Sequence, residues 1–315
     1  MEKQQWPELS YDEAKDTYQT LHLWCQIVGK IKLAQLPWVN HSWHVTLQLT
    51  PSGFTTGDLP AGKKHFQINF DFKVHQLQVV TSLGEQRSFD LANLSVAGFY
   101  AMLMSTLEEV GLSIQINPVP NELEDAIPFP EDNTHATYNP AQATQLHAAF
   151  LLTQEVLSKF RAKFTGKCSP VHLFWGAFDL AVTRFSGKPA PKHPGGVPNL
   201  PDWVAQEAYS QEVNSCGFWP GNESLPMPAF YSYHYPEPEG YKTASVQPEE
   251  AYYHDTLGEY ILPYKVVQQS DNPEQTLLSF LESTYRAGAQ LANWDRKSLE
   301  QDPAILAKTH HANTQ

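Results

Sequence analysis

Cysteine is scarce in this chain: Cys25, Cys168 and Cys216 are the only three among 315 residues. An odd number, widely spaced and without a C-x-x-C pair, excludes a disulfide framework and fits free thiols in a reducing cytosol. Cys216 has no adjacent base and reads as a small buried hydrophobe rather than a nucleophile. Basic residues are also few, 21 against 34 acidic, for a net charge of −13. That charge repels a phosphate backbone and no basic stripe offsets it, so nucleic acid is not an expected partner. No apolar run approaches the length of a membrane span, and the opening MEKQQWPELS holds no signal-peptide core. The expectation is a cytoplasmic protein without a membrane partner. Common catalytic signatures are missing too: there is no G-x-S-x-G elbow, H-E-x-x-H helix, EF-hand loop or G-x-G-x-x-G turn. Gly166-Lys167 is not a Walker A loop, because Arg161 stands at the first glycine position and Cys168 replaces Ser/Thr. These absences exclude the commonest enzymes, not catalysis.

What is present describes a globular fold, since 41% hydrophobic and 12% aromatic content with only 17% charge can fill a core. Ser10 and Glu13 have capping-box spacing, followed by Ala14, Tyr18, Leu21, Cys25 and Val28 at helical intervals. Residues 43–50 and 65–75 alternate strictly, as half-buried antiparallel strands do, with Phe66, Ile68, Phe70, Phe72 and Val74 on one face. Residues 77–81 offer a third strand. Val96, Phe99, Leu103, Leu107 and Val110 form a second helix stopped by Gly111. Residues 118–138, rich in proline and acid, read as a linker. Asn139-Pro140 and Asn272-Pro273 open further helices in cap-then-proline order. Between those helices lie aromatic strands at 172–185, 213–219, 230–235 and 259–264.

The reading is α+β: two antiparallel sheet units, each flanked by helices. The first unit spans 1–117, a linker 118–138, the second unit 139–295 and a polar tail 296–315. Short echoes between the halves (Gly29-Lys30 with Gly166-Lys167, Ser52-Gly53 with Ser186-Gly187) suggest a possible internal duplication. The strings TLHLWCQIVGK, NHSWHVTL, FQINFDF, GKCSPVHLFWGAFDLAVTRFSG, HPGG, GFWPG and LGEYILPY resemble an uncharacterised bacterial family known only as a domain of unknown function. The resemblance spans essentially the whole chain and brings no activity, substrate or catalytic residue with it.

The densest chemistry lies in residues 166–202. The loop 186–202 carries five prolines and three glycines, a length that in compact domains marks a functional or a disordered loop. Arg184, Lys188 and Lys192 form a rare basic grouping as anion-binding candidates, with the Gly195 and Gly196 amides as a possible nest. Asp179 sits in an apolar stretch and needs a partner, Arg184 or His172. The two form either an acid–base unit or a structural ion pair. His172, Asp179 and His193 are thus the catalytic candidates, in a pocket walled by Trp175 or Trp219. Asp179 and Arg184 fall on opposite faces of a regular strand, so both reach that pocket only through a bulge or sharp turn. Thirteen histidines invite a metal reading, with His41, His44 and His172 its best members, but no spacing shows convergence and no metal or cofactor is expected. His310 and His311 belong to the tail. Two functions remain: an enzyme acting on a small polar or anionic metabolite in a cleft between the halves, or a non-catalytic binder using the same cleft.

Overall fold

Phe66, Ile68 and Phe70 are buried while Gln67, Asn69 and Asp71 are only partly so, as the two-residue period of a one-sided strand requires. The computed structural model describes residues 5–302, 304 and 305. This strand, β4 (Lys64–Asp71), centres a first sheet with β1 (Gln48–Leu49), β2 (Gly53–Thr55), β3 (Leu59–Ala61), β5 (Gln76–Thr81) and β6 (Gln86–Asp90). A second sheet holds β7 (His172–Phe174), β8 (Asp179–Pro189), β9 (Gln211–Trp219), β10 (Ala229–Tyr235), β11 (Tyr252–His254) and β12 (Glu259–Pro263), in the order β11-β12-β10-β9-β8-β7. Seven helices accompany them among the described residues: α1 (Tyr11–Gln35), α2 (Val96–Glu109), α3 (Pro140–Ala162), α4 (Asp202–Ala208), α5 (Tyr264–Gln269), α6 (Pro273–Leu291) and α7 (Arg296–Leu299). Every pairing is antiparallel. The architecture is α+β with two antiparallel sheet units.

Local chemistry explains most boundaries. The Asn139 side chain accepts from the amides of Ala141 and Gln142, and Asn272 accepts from Gln275, caps worth about 1 kcal/mol each. Gly111 follows α2 at φ 71°, where a glycine carries no Cβ penalty. Three expectations are corrected. Ser10 makes no side-chain cap bond; Asp12 and Glu13 instead place negative charge in the first turn of α1. Residues 43–50 are not one strand. His41 and Ser42 take positive φ, Thr46 Oγ1 donates to Trp43 O, and Lys32 Nζ donates to Thr46 O, so only Gln48–Leu49 forms a strand. The expected strand at 172–185 is a hairpin of β7 and β8, turning at residues 175–178.

The sheets share one buried cluster that runs from Trp6 to Trp294. Leu47 and Leu173 exchange two backbone hydrogen bonds of 2.9 Å, linking the edge of one sheet to the edge of the other. Residues 118–138 are built into this body: Phe129 is fully buried, and the carbonyls of Asp132 and His135 accept from the first amides of α2. Arg296–Leu299 of the expected tail is helical, whereas residues 306–315, with His310 and His311, lie outside the described residues. The second sheet turns Leu180, Val182, Arg184, Cys216, Phe218 and Phe230 towards α3, α5 and α6. Its other face carries Asp179, Ala181, Thr183, Ser215, Gly217, Tyr231, Tyr233 and Tyr235. That face holds the site.

Candidate functional site

Small residues open the outer face of the second sheet. Tyr231 of β10 pairs with Gly217 of β9, which pairs in turn with Ala181 of β8. A methyl group on Gly217 would stand 2.7 Å from the Tyr231 hydroxyl oxygen. Because that methyl is missing, the tyrosine ring crosses β9 and its hydroxyl donates to Asp179 Oδ2. Tyr233, two residues on, stacks beside Tyr231 at 6.1 Å, and its hydroxyl meets that of Tyr209 at 2.7 Å. His193 stacks on Tyr209 at 4.8 Å and leans on Tyr235 at 5.4 Å. Its Nδ1 accepts from the Gly195 amide at 3.1 Å, which leaves the proton of the neutral ring on Nε2.

Asp179 is aimed by the preceding turn. Phe178 holds φ 60°, a left-handed conformation costing about 1 kcal/mol or more for a bulky residue. His22 of α1 braces it, stacking on the Phe178 ring at 5.5 Å and donating from Nε2 to Gly176 O at 2.7 Å. Gln26, one turn along α1, accepts from the Asn121 amide at 2.8 Å. The Glu122 amide then donates to Pro198 O at 2.8 Å, and Asn199 Nδ2 donates to Leu123 O at 2.8 Å. These bonds lay the proline-rich connection beside the 175–178 turn. There the Glu122 carboxylate occupies space that a side chain at Gly176 would take.

Three carboxylates result, with no basic partner among the groups that shift them. Burial pushes Asp179, which is 9% exposed, up to about 6, partly offset by the Tyr231 hydrogen bond. Burial, then the charge of Asp179, pushes Glu259 of β12 up to about 8 and Glu122 up to about 7. Glu122 is open to water on one side and crowded by protein on the others. Asp179 and the half-buried Glu259 therefore carry more of the electrostatic argument than Glu122 does. The same carboxylates, after burial itself, raise the hydroxyls of Tyr209, to about 12, and of Tyr231. Such a surface donates hydrogen bonds through its tyrosines and holds or releases protons near neutrality through its carboxyls.

Of the residues singled out from sequence, Asp179 and His193 belong to this cluster, joined through Tyr231, Tyr233 and Tyr209. Trp219 is half-buried and packs in the small apolar cluster with Tyr231 and Ile261. The others lie elsewhere. Arg184 is 1% exposed on the opposite sheet face, with its guanidinium 3.4 Å from the Phe160 ring centroid and 4.3 Å from that of Tyr285. Strand alternation put it there, and no bulge precedes it. The expected partnership of Asp179 with Arg184 or His172 is replaced by Tyr231. His172 is buried with its ring centroid 4.6 Å from that of Phe174, and burial, then Lys32, pushes its pKa down to about 3. Trp175 plugs the core against Gly29 and donates to Val45 O. Lys188 donates to the carbonyls of Ala292 and Asn293 at the end of α6, and Lys192 is exposed. The Gly195–Gly196 turn is already occupied by the chain itself, because Asp202 Oδ1 accepts from the Gly196 amide at 2.9 Å. His41, His44 and His172 do not converge: His41 bonds Ala208 O and Lys167, and His44 Nδ1 takes the Val39 amide. Among the described residues no three His, Cys, Asp or Glu side chains are placed to hold a metal ion.

Glu122, Glu259, Tyr209, His22 and Gly217 were not singled out from sequence. The one local signal was Tyr231-x-Tyr233-x-Tyr235, a period-2 tyrosine row that marks a polar-tipped strand face. Fold and site together define an α+β protein with an acidic, tyrosine-rich cluster on the outer face of its second sheet. The chain belongs to DUF5996, a family of unknown function whose profile matches residues 6–301, a span holding both sheets and all three carboxylates. Neither a curated protein nor a solved structure matches it.

Proposed function

We infer that this chain is a cytosolic enzyme that moves protons on a small polar metabolite bound among Asp179, Glu122, Glu259 and the tyrosine wall. The observation that carries this reading is the grouping of three carboxyls without a cationic partner on one side of the second sheet, pushed apart to about 6, 7 and 8. Groups whose environments separate their proton affinities divide into base and acid. Asp179, the most acidic, is the base, and the Tyr231 hydroxyl holds its Oδ2 in place. Glu259, the least acidic, is the acid. The Tyr209–Tyr233 hydroxyl pair and His193 Nε2–H orient ligand oxygens from the rim. An anionic ligand would meet three carboxyls and no cation, so the substrate is neutral or cationic.

The test is incubation of the purified protein with a small-metabolite extract, followed by mass spectrometry, for the native chain and for Asp179→Asn. Consumption of a compound by the native chain, lost in Asp179→Asn, supports the enzyme. A compound retained through gel filtration but never consumed identifies a binding protein using the same face. If nothing is consumed or retained, the site reading fails.

A further inference from the structure

Lys167 stands apart from the other lysines of its region. Lys159 and Lys163 pair with Glu274 at 2.6 Å and Glu282 at 3.3 Å. Lys167 Nζ instead lies 2.5 Å from His41 Nε2 and 3.2 Å from Gln211 Oε1, both neutral acceptors. It sits 4.7 Å above the Phe185 ring and 5.8 Å from that of Trp43. The side chain is half-buried, so solvent reaches one side of it.

His41 is set up to receive a proton from this amine. Its Nδ1 donates to Ala208 O at 2.8 Å, which leaves the Nε2 lone pair pointing at Lys167. The ring is held by the backbone: His41 takes φ 59° and ψ 25°, and its amide donates to Glu207 Oε2 at 2.7 Å. A left-handed histidine costs free energy that the helical turn it serves does not need, so the conformation favours the placement of the ring. Burial lowers the proton affinity of His41, and the Ala208 carbonyl and the Glu207 charge offset only part of that. Burial lowers the proton affinity of Lys167. An amine with its proton engaged by a base, on an aromatic wall, is the arrangement of a nucleophilic lysine.

We propose that Lys167 is a carbonyl-reactive amine that forms an imine with a small neutral aldehyde, with His41 as its proton acceptor and donor. His41 Nε2 takes a proton from Nζ. The freed nitrogen lone pair then attacks the carbonyl carbon, forming the C–N bond as the carbonyl π pair moves to oxygen. A proton passes from the attacking nitrogen to the alkoxide oxygen, giving the neutral carbinolamine; the His41 imidazolium then protonates its hydroxyl, which leaves as water as the nitrogen lone pair closes the C=N bond. The sum is lysine ammonium plus aldehyde giving protonated imine plus water, with His41 returned to its neutral form and no change of oxidation state. The aromatic rings of Phe185 and Trp43 exclude water from one side of the adduct, which slows its hydrolysis. This site rests on residues other than those of the carboxylate cluster and stands or falls separately from it.

The experiment treats the whole native chain with glycolaldehyde, traps imines by cyanoborohydride reduction, and locates adducts by peptide mass spectrometry. Lys167 is expected to be labelled about tenfold faster than the exposed Lys192, as an amine with a positioned base requires. In His41→Gln the Lys167 rate is expected to fall to that of Lys192. Labelling of Lys167 no faster than Lys192 in the native chain overturns the proposal. That comparison needs no variant, so it decides the matter even where His41→Gln fails to fold.

Discussion

Arg184 shows how a residue's chemistry is decided by what encloses it. Its guanidinium stacks on Phe160 and Tyr285, and Nη2 donates to Phe160 O. The nearest carboxylate oxygen, on Glu282, is 3.9 Å away. Burial, the largest effect on it, lowers its proton affinity, and Glu282 offsets only part of that. The residue is held by ring faces and a carbonyl rather than by a tight ion pair. Arg184→Ala would leave a void among the rings of Phe160, Phe164 and Tyr285, while the Phe160 carbonyl and Glu282 keep Lys163 as a partner. The expected loss is about 3–5 kcal/mol, the range for truncating a large buried side chain. Arg184→Met keeps volume without charge and should lose clearly less. Urea unfolding of the two variants checks this, and an unchanged midpoint for Arg184→Ala would show that the side chain carries no stability. The contrast is Tyr231→Phe, which removes one hydroxyl and leaves Asp179 without its donor. It should cost about 1–3 kcal/mol in the same assay, and it should weaken any turnover found at the carboxylate cluster more than it weakens binding.

At the scale of elements, the crossing of Tyr231 over β9 depends on Gly217 having no side chain. A methyl there meets the Tyr231 hydroxyl and, more closely, the backbone oxygen of Leu180 on β8. Gly217→Ala is therefore expected to lose about 1–3 kcal/mol by overpacking. In a Tyr231→Phe background the loss should be smaller, since the hydroxyl clash is gone while the ring-carbon contact at 2.9 Å and the backbone clash remain. Thermal unfolding of the two single variants and the double variant measures the coupling. Strict additivity would show that the ring does not depend on that gap. This dependence also explains what sequence could not reveal. Asp179 was legible, because a carboxylate in an apolar run needs a partner. Which partner it takes was not, because Tyr231 lies 52 residues away on a strand two places across the sheet. The helices opened by Asn139-Pro140 and Asn272-Pro273 were legible because their caps are local. Glu122 was hidden in a stretch read as a linker, since its anchors at Gln26, Pro198 and Asn199 are all remote in sequence. The alternation at 43–50 misled because nothing local reveals that Lys32 captures the Thr46 carbonyl and turns the chain there.

For the whole molecule, the titrating groups fall into two opposed sets that fix how stability varies with pH. Folding raises the pKa of Asp179 from 3.8 to about 6, of Glu122 from 4.5 to about 7 and of Glu259 from 4.5 to about 8. A carboxyl with a raised folded-state pKa binds its proton more tightly when folded. Its contribution is fully present below the unfolded value and is lost as pH rises through the folded one, here from about 4 to about 8. The buried histidines act in the other direction. Burial lowers His22 from 6.5 to about 4, and His172 and His234 from 6.5 to about 3. Their contribution is present above the unfolded value and is lost as pH falls from about 6.5 towards 3, because each must remain neutral where an unfolded histidine would charge. The two windows overlap around mildly acidic pH, so the melting temperature should peak near about pH 6 and decline on both sides. Replacement of one acid separates the limbs. Glu259→Gln removes the carboxyl with the highest folded-state pKa and relieves its repulsion with Asp179. It should therefore raise the melting temperature at pH 8 and flatten the alkaline limb, and it should steepen the decline between about pH 6.5 and 4.5, where protonation of Glu259 in the native chain offsets that of the histidines. Thermal unfolding at constant ionic strength from pH 4 to 9 reads both limbs. Identical alkaline slopes for the two proteins would mean that Glu259 ionises at its ordinary pH, and the acid of the proposed proton transfer would have to be sought at Glu122 instead.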